Sequence, residues 1–261
     1  MKHLIAFTAF FVCWSGAATA SEQTPRHTLS AGTGDETPYF ETRGPRGGPT
    51  ILVVAGIHGD EPAPPLAAER VRHWQLRRGT LVTVPRANPR ALARRSRLLP
   101  GERFADLNRN FPTRAGDEPK SPHARQLWSL VTRTRPHVLL DLHEGWGVHR
   151  LDPATMGSSV VFVPDERVTA TTAPLAATLL HQVNATVADP RRHFELISPG
   201  PAGSLARSAT EVLGVPTLVL ETTRIGQPVP LRVEQHLTMV RALLESLGML
   251  DGAGADFTAS R

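Results

Sequence analysis

Five short runs of β-branched and aliphatic residues leave this chain few folds to choose from. They are "TILVVA" (Thr50–Ala55), "TLVTVP" (Thr80–Pro85), "HVLLDL" (His137–Leu142), "SVVFVP" (Ser159–Pro164) and "TLVLE" (Thr217–Glu221). Each run is continuously apolar rather than alternating, which is the pattern of a strand covered on both faces. Between and after the runs, apolar residues recur at three- and four-residue spacing. That spacing predicts helices over Pro65–Arg77, Pro122–Thr134, Thr171–Val187 and Arg232–Leu247. Strands alternating with helices imply one α/β domain, a mixed and mostly parallel sheet with helices on both faces. At 261 residues and 40% apolar content, the chain can fill such a core.

The flanks read differently. "MKHLIAFTAFFVCWSGAATA" has a lysine near its start, an apolar run from Leu4 to Trp14 and a small-residue close, so 1–20 is expected to be a signal peptide cut after Ala20. Residues 21–48 are polar and rich in Gly, Thr and Pro, an N-terminal extension with room for one edge strand. The main domain is placed at 49–248 and a C-terminal tail at 249–261. Cys13 is the only cysteine, and the preceding "FFV" lacks the small residue expected ahead of a lipidated cysteine. The mature chain would then carry no thiol, so any metal site must use His, Asp or Glu. These features predict a periplasmic or secreted protein with no stable membrane insertion once the signal is removed. The net charge of +5 comes from arginines that are scattered among acids, which argues against a nucleic-acid partner.

In sheets of this kind ligands bind beyond the carboxyl ends of the strands. His58 and Glu61, in "GIHGDEP" (Gly56–Pro62), follow the first run; His143 follows the third, and Glu221 closes the fifth. Gly56 and Gly59 allow a tight turn, and three-residue spacing lets His58 and Glu61 converge. Two histidines and a carboxylate form a catalytic zinc set with a fourth position open. The competing reading of His58 and Glu61 is a helix start with a capping acid.

"DLNRNFP" (Asp106–Pro112) places Asn and Arg together between apolar residues without a simple structural reason. With "GIHGDEP", "NPRALARRSRLLPGERFADLNRNFP" (Asn88–Pro112), "LLDLHEG" (Leu139–Gly145) and "TLVLETTR" (Thr217–Arg224) in the same order, the chain resembles the zinc carboxypeptidase superfamily over roughly Thr50–Arg224. It is most similar to the succinylglutamate desuccinylase/aspartoacylase branch, although "DLNRNFP" is spelled as in bacterial murein peptide amidases. The resemblance implies a three-layer sandwich and makes 49–248 a zinc hydrolase catalytic domain. It implies one zinc per chain held by His58, Glu61 and His143, with Glu221 as general base. By the same resemblance Asn108 and Arg109 hold a substrate carboxylate, Asp106 accepts the free ring N–H of His58, and Arg97 stabilises the oxyanion, with Arg103 as its rival.

The substrate implied is a small carboxylate-bearing amide or peptide, cleaved by an N-acyl amino acid deacylase or a small-peptide carboxypeptidase or amidase. A catalytically silent ligand-binding protein on the same fold is the alternative. Digestive-type members set a tyrosine over the site, whereas the one tyrosine here, Tyr39, stands ahead of the core. The chain leaves no room for the C-terminal β-domain of aspartoacylase-like enzymes, so an open entrance is expected. Glu144 should point away from His143 along the strand. His149 and Trp146 are read as loop residues, Trp146 as a packed anchor with a pocket-lining place as the alternative, and "SPGPAGSL" (Ser198–Leu205) as a turn-rich stretch that could line a site.

Overall fold

The computed structural model describes residues 25–99 and 101–250. The expected signal segment 1–20 with Cys13, and most of the tail, lie outside the described residues. Eight strands form one sheet: β1 (Arg26–Leu29), β2 (Thr37–Arg43), β3 (Thr50–Ala55), β4 (Thr80–Val84), β5 (Val138–Gly145), β6 (Ser159–Phe162), β7 (Glu195–Ile197) and β8 (Thr217–Thr223). Their spatial order is β1-β2-β4-β3-β5-β8-β6-β7. The centre, β4-β3-β5-β8, is parallel, while β1, β2 and the β8–β6 junction pair antiparallel and β7 runs parallel to β6.

The helices are α1 (Ala63–Val71), α2 (Pro89–Arg94), α3 (Pro122–Thr134), α4 (Thr169–Asn184), α5 (Leu205–Leu213) and α6 (Val229–Ser246). The α/β sandwich expected from the strand runs is therefore present. All five apolar runs are strands, and the four predicted helices are found with shifted ends, α3 alone matching at both. α1 begins two residues early because Pro64 and Pro65 lie in its first turn, where a missing N–H costs nothing. It stops at Val71, and the next turn swings Trp74 back onto the core under the guanidinium of Arg241. The 21–48 stretch holds two strands rather than one, β1 at the edge and β2 beside it, and α2, α5 and β7 complete the set.

The pleat divides the core. Ile51, Val53 and Ala55 of β3, with Leu140 and Leu142 of β5 and Leu218 and Leu220 of β8, pack under α1, α4 and α6. Leu52, Val54 and Leu139 face the opposite way, toward α3 and α5. Because side chains alternate along a strand, the same parity assigns each residue near the strand ends to one side of the sheet. Asp141, His143, Val219 and Glu221 belong to the α3/α5 side, and Glu144 and Thr222 to the α1/α6 side.

Candidate active site

Gly56 (φ +73°) turns the chain sharply off the end of β3. Gly59 lies so close to α2 that a Cβ there would meet the Ala91 carbonyl oxygen at 1.8 Å. The loop is thus pressed against α2, and its two side chains, His58 and Glu61, are turned inward and buried. β5 brings His143 to the same place, and β8, in register with it, sets Glu221 directly beside His143.

The three expected ligands converge: one ligand atom from each of His58, Glu61 and His143 lies within 4.8 Å of the others. His58 Nδ1 is 2.7 Å from Glu61 Oε1, and His143 Nδ1 is 3.0 Å from Glu61 Oε2. The Glu144 amide donates to Glu61 Oε2 at 3.1 Å and helps fix the carboxylate. The outer nitrogens face other carboxylates, His58 Nε2 at 3.4 Å from Asp106 Oδ1 and His143 Nε2 at 3.1 Å from Asp141 Oδ1. An Nε2–H given to each outer carboxylate leaves each inner Nδ1 as a lone pair facing the lone pairs of Glu61. Two acceptors in contact need a proton or a cation between them, so the donor set fits a metal ion.

The charge environment says the same. Burial alone would push both imidazoles down, but the surrounding carboxylates outweigh it: Glu61 and Asp106 raise His58, and Asp141 and Glu61 hold His143 well above its usual range. Burial would raise Glu61, yet His58 and His143 hold it below the ordinary carboxylate range. Asp106 is likewise lowered against its burial, chiefly by His58. Glu221 is the exception. Burial pushes its carboxyl up to about 7, a position from which a proton can be both taken and returned. A divalent cation among its neighbours would draw that value down.

One cavity of about 580 Å³ joins these groups to Arg97, Asn108, Arg109, Trp146 and Arg224. Arg97 Nη1 sits 3.2 Å from Glu61 Oε1, whereas Arg103 lies over the Phe104 ring and lines a separate, smaller cavity. "DLNRNFP" forms a single 3-10 turn, Leu107–Arg109, capped by Asp106, which accepts the Asn108 amide. Asn108 Oδ1 accepts the Leu205 amide at the start of α5, which fixes the orientation of its side chain. Its Nδ2 lies 3.4 Å from His143 Nε2, whose proton faces Asp141, so the amide retains donor capacity toward the cavity. Arg109 bonds the Asn108 carbonyl through one nitrogen and leaves the rest of its partly exposed fork available.

Asp141 is a site residue that the sequence patterns do not single out. Its signal was present: it stands two residues before His143, hence on the same strand face, and it is completely buried. Glu144 points the other way as expected, accepting the Ala63 amide at 3.1 Å and pairing with the buried Arg232 of α6. Trp146 takes the pocket-lining place rather than that of a packed anchor: it is 66% exposed, lies beneath the guanidinium of Arg224 and lines the cavity. Arg224 is tied to Asp60 by two bonds, and His149 holds the β5–β6 loop through the Thr155 carbonyl. Gly200, Pro201 and Ser204 of the turn-rich stretch also line the cavity.

Residues 47–247 match the family described as Succinylglutamate desuccinylase/Aspartoacylase catalytic domain. No curated protein matches the chain in sequence. Among solved structures, the mDAP-bound form of Helicobacter pylori Csd4, described as a D,L-carboxypeptidase, is similar at 24% identity and a TM-score of 0.66, covering 81% of this chain and 55% of that one. A succinylglutamate desuccinylase/aspartoacylase from Rhodobacter sphaeroides is similar at 18% identity and a TM-score of 0.64, over 88% of this chain and 66% of that one. The ectoine utilization protein EutE (DoeB) from Ruegeria pomeroyi reaches 21% identity and a TM-score of 0.60, over 83% and 62%. The chain thus spans little more than half the length of Csd4, and at these identities the likeness is one of fold.

Proposed function

The chain belongs to the succinylglutamate desuccinylase/aspartoacylase family, a family of hydrolases, through its catalytic domain, and from that premise we propose that it is a zinc-dependent hydrolase cleaving an amide bond next to a free carboxylate. The observation that carries this reading is the arrangement around Glu61: two inward-facing imidazole nitrogens on one carboxylate, with a buried Glu221 beside them on the neighbouring strand. His58, Glu61 and His143 are the ligands, and zinc held there supplies a Lewis acid that polarises the scissile carbonyl and acidifies the attacking water.

The chain's own residues do the rest. Asn108 and Arg109 bind the substrate carboxylate and so orient the amide. Glu221 takes a proton as water adds to the carbonyl carbon, then returns it to the leaving nitrogen as the C–N bond breaks; the acid and amine so formed leave as a carboxylate and an ammonium once the acid's proton passes to the amine. Arg97, beside the ligand cluster, is placed to meet the negative charge that develops on the carbonyl oxygen. Asp106 and Asp141 hold the two imidazoles in the tautomer that presents Nδ1. Csd4 has been crystallised with a tripeptide and with mDAP, and small peptides stand beside N-acyl amino acids as the substrate class here.

Metal-loaded protein incubated with N-acyl amino acids, short peptides and their C-terminal amides is expected to release amino acids from the free-carboxylate compounds, as read by mass spectrometry. The amides should react at least about 10-fold more slowly, since they lack the partner of Arg109, and a chelator should stop all turnover. Ligand binding without turnover across the panel would instead favour the silent binding protein.

Export is part of the proposal, resting on the short apolar core and "ATA" close of the first twenty residues. N-terminal sequencing of the exported chain is expected to begin at Ser21; a mature form retaining Met1 would remove it.

A further inference from the structure

We propose that the cavity holds an apolar pocket beside Glu221 that selects substrates whose carboxylate-bearing residue has an aliphatic side chain, and that it excludes acidic ones. The inference rests on the hydrolase reading given above. Val219 lies two residues before Glu221 on β8, on the same face of the sheet and one pleat further from the strand end. Val161 of β6 is its antiparallel partner, as Ser159 is the partner of Glu221. Ala206, in the first turn of α5, covers the pair, and Met156 from the β5–β6 loop packs against them. With Ile197 also packed against them, these four side chains form a cluster separate from the two cores, and all four line the cavity.

The cluster is adjacent to both ends of the substrate. Ala206 follows Leu205, whose amide is held by Asn108 at the carboxylate end, and Val219 stands next to Glu221 at the scissile end. A residue whose carboxylate is bound by Asn108 and Arg109 and whose nitrogen lies at Glu221 has its side chain directed at this wall. Around this wall the hydroxyls are neutral and the guanidinium of Arg207 is already paired. The Ser204 hydroxyl accepts the Arg207 amide, the Ser159 hydroxyl donates to the Met156 carbonyl, and Arg207 reaches the Gly200 carbonyl and the Glu211 carboxylate. The cavity's other guanidinium groups have separate places in the same reading, Arg109 at the substrate carboxylate, Arg97 at the scissile carbonyl beside Glu61, and Arg224 at Asp60 through its two terminal nitrogens. A side-chain carboxylate placed here loses its water and gains no counter-charge, whereas an aliphatic group gains from leaving water.

Calorimetric titration of the Glu221→Gln protein with N-acetyl-L-alanine, N-acetyl-L-leucine, N-acetyl-L-aspartate and N-acetyl-L-glutamate tests the pocket without needing turnover. The aliphatic ligands are expected to bind at least about 10²-fold more tightly than the acidic ones. Val219→Ala, a mild truncation, should shift the preference between the two aliphatic ligands toward leucine by about 10-fold, and kcat/KM of the otherwise unaltered enzyme should shift with it. Tighter binding of the acidic ligands, binding of neither set, or a preference unmoved by Val219→Ala would each overturn the pocket. Aliphatic binding that responds to Val219→Ala, with no turnover by the unaltered enzyme, would leave the pocket standing and remove the hydrolase reading.

Discussion

Replacing His58 with alanine is expected to empty the metal site and take hydrolysis down to background. In the proposed site His58 would be one of three ligands, and the fourth position of a catalytic zinc belongs to water or substrate. Loss of an outer hydrogen-bond partner of a metal-bound imidazole typically costs about 10–100-fold in metal affinity. Removal of the ligand itself should exceed that, and Asp141→Asn, which weakens only the outer contact to His143, should fall inside the range. Elemental analysis of the purified variants supplies the readout. Equal zinc content in the unaltered protein and in His58→Ala would show that the ion, if present, is bound elsewhere.

Glu221→Gln should behave in the opposite manner, keeping zinc and ligand while losing turnover. The substitution preserves the shape of a side chain that is buried and packed beside His143, so the cavity should remain intact. It removes the group proposed to accept and return the proton, a role worth about 10²–10⁴-fold in rate. Steady-state kinetics should show kcat reduced by ~10²-fold or more with KM little changed, because the lost interaction is made in the transition state. If kcat persists at its original level, the proton passes through another group and Glu221 is a structural acid.

The readability of the chain varied with the depth of burial. The five central strands stood out because each is wrapped on both faces and therefore continuously apolar. β1 is the sheet's edge strand and β2 the strand beside it, both in a polar stretch where solvent relaxes that demand, and β7 has three residues, too few for any period to show. α5 was hidden for a different reason: nine residues that open at Ser204 and close at Gly214 sit between turn-forming segments, so their short amphipathic pattern merges with the loops around it.

At the site, His58, Glu61, His143 and Glu221 could be placed from their positions after strands alone, while Asn108, Arg109 and Arg97 needed the resemblance to give them work. Asp141 was legible in principle from strand parity. The apolar wall was not. Val161, Ala206 and Val219 look like core residues in sequence, and only the packing of α5 across β6 and β8 separates them from the two cores.

The strand order carries a consequence for the chain as it is made. β8, residues Thr217–Thr223, is inserted between β5 and β6, although β6 and β7 precede it in the chain. On the ribosome, β6 and β7 have no sheet to join until β8 emerges, and the apolar edges of β5 and β6 stay unpaired, open to any other strand they meet. The same late segment brings Glu221, so the proposed proton carrier arrives with the piece that seals the sheet. A nascent chain that has not yet released residue 223 would therefore lack both the proposed proton carrier and the strand that pairs the edges of β5 and β6.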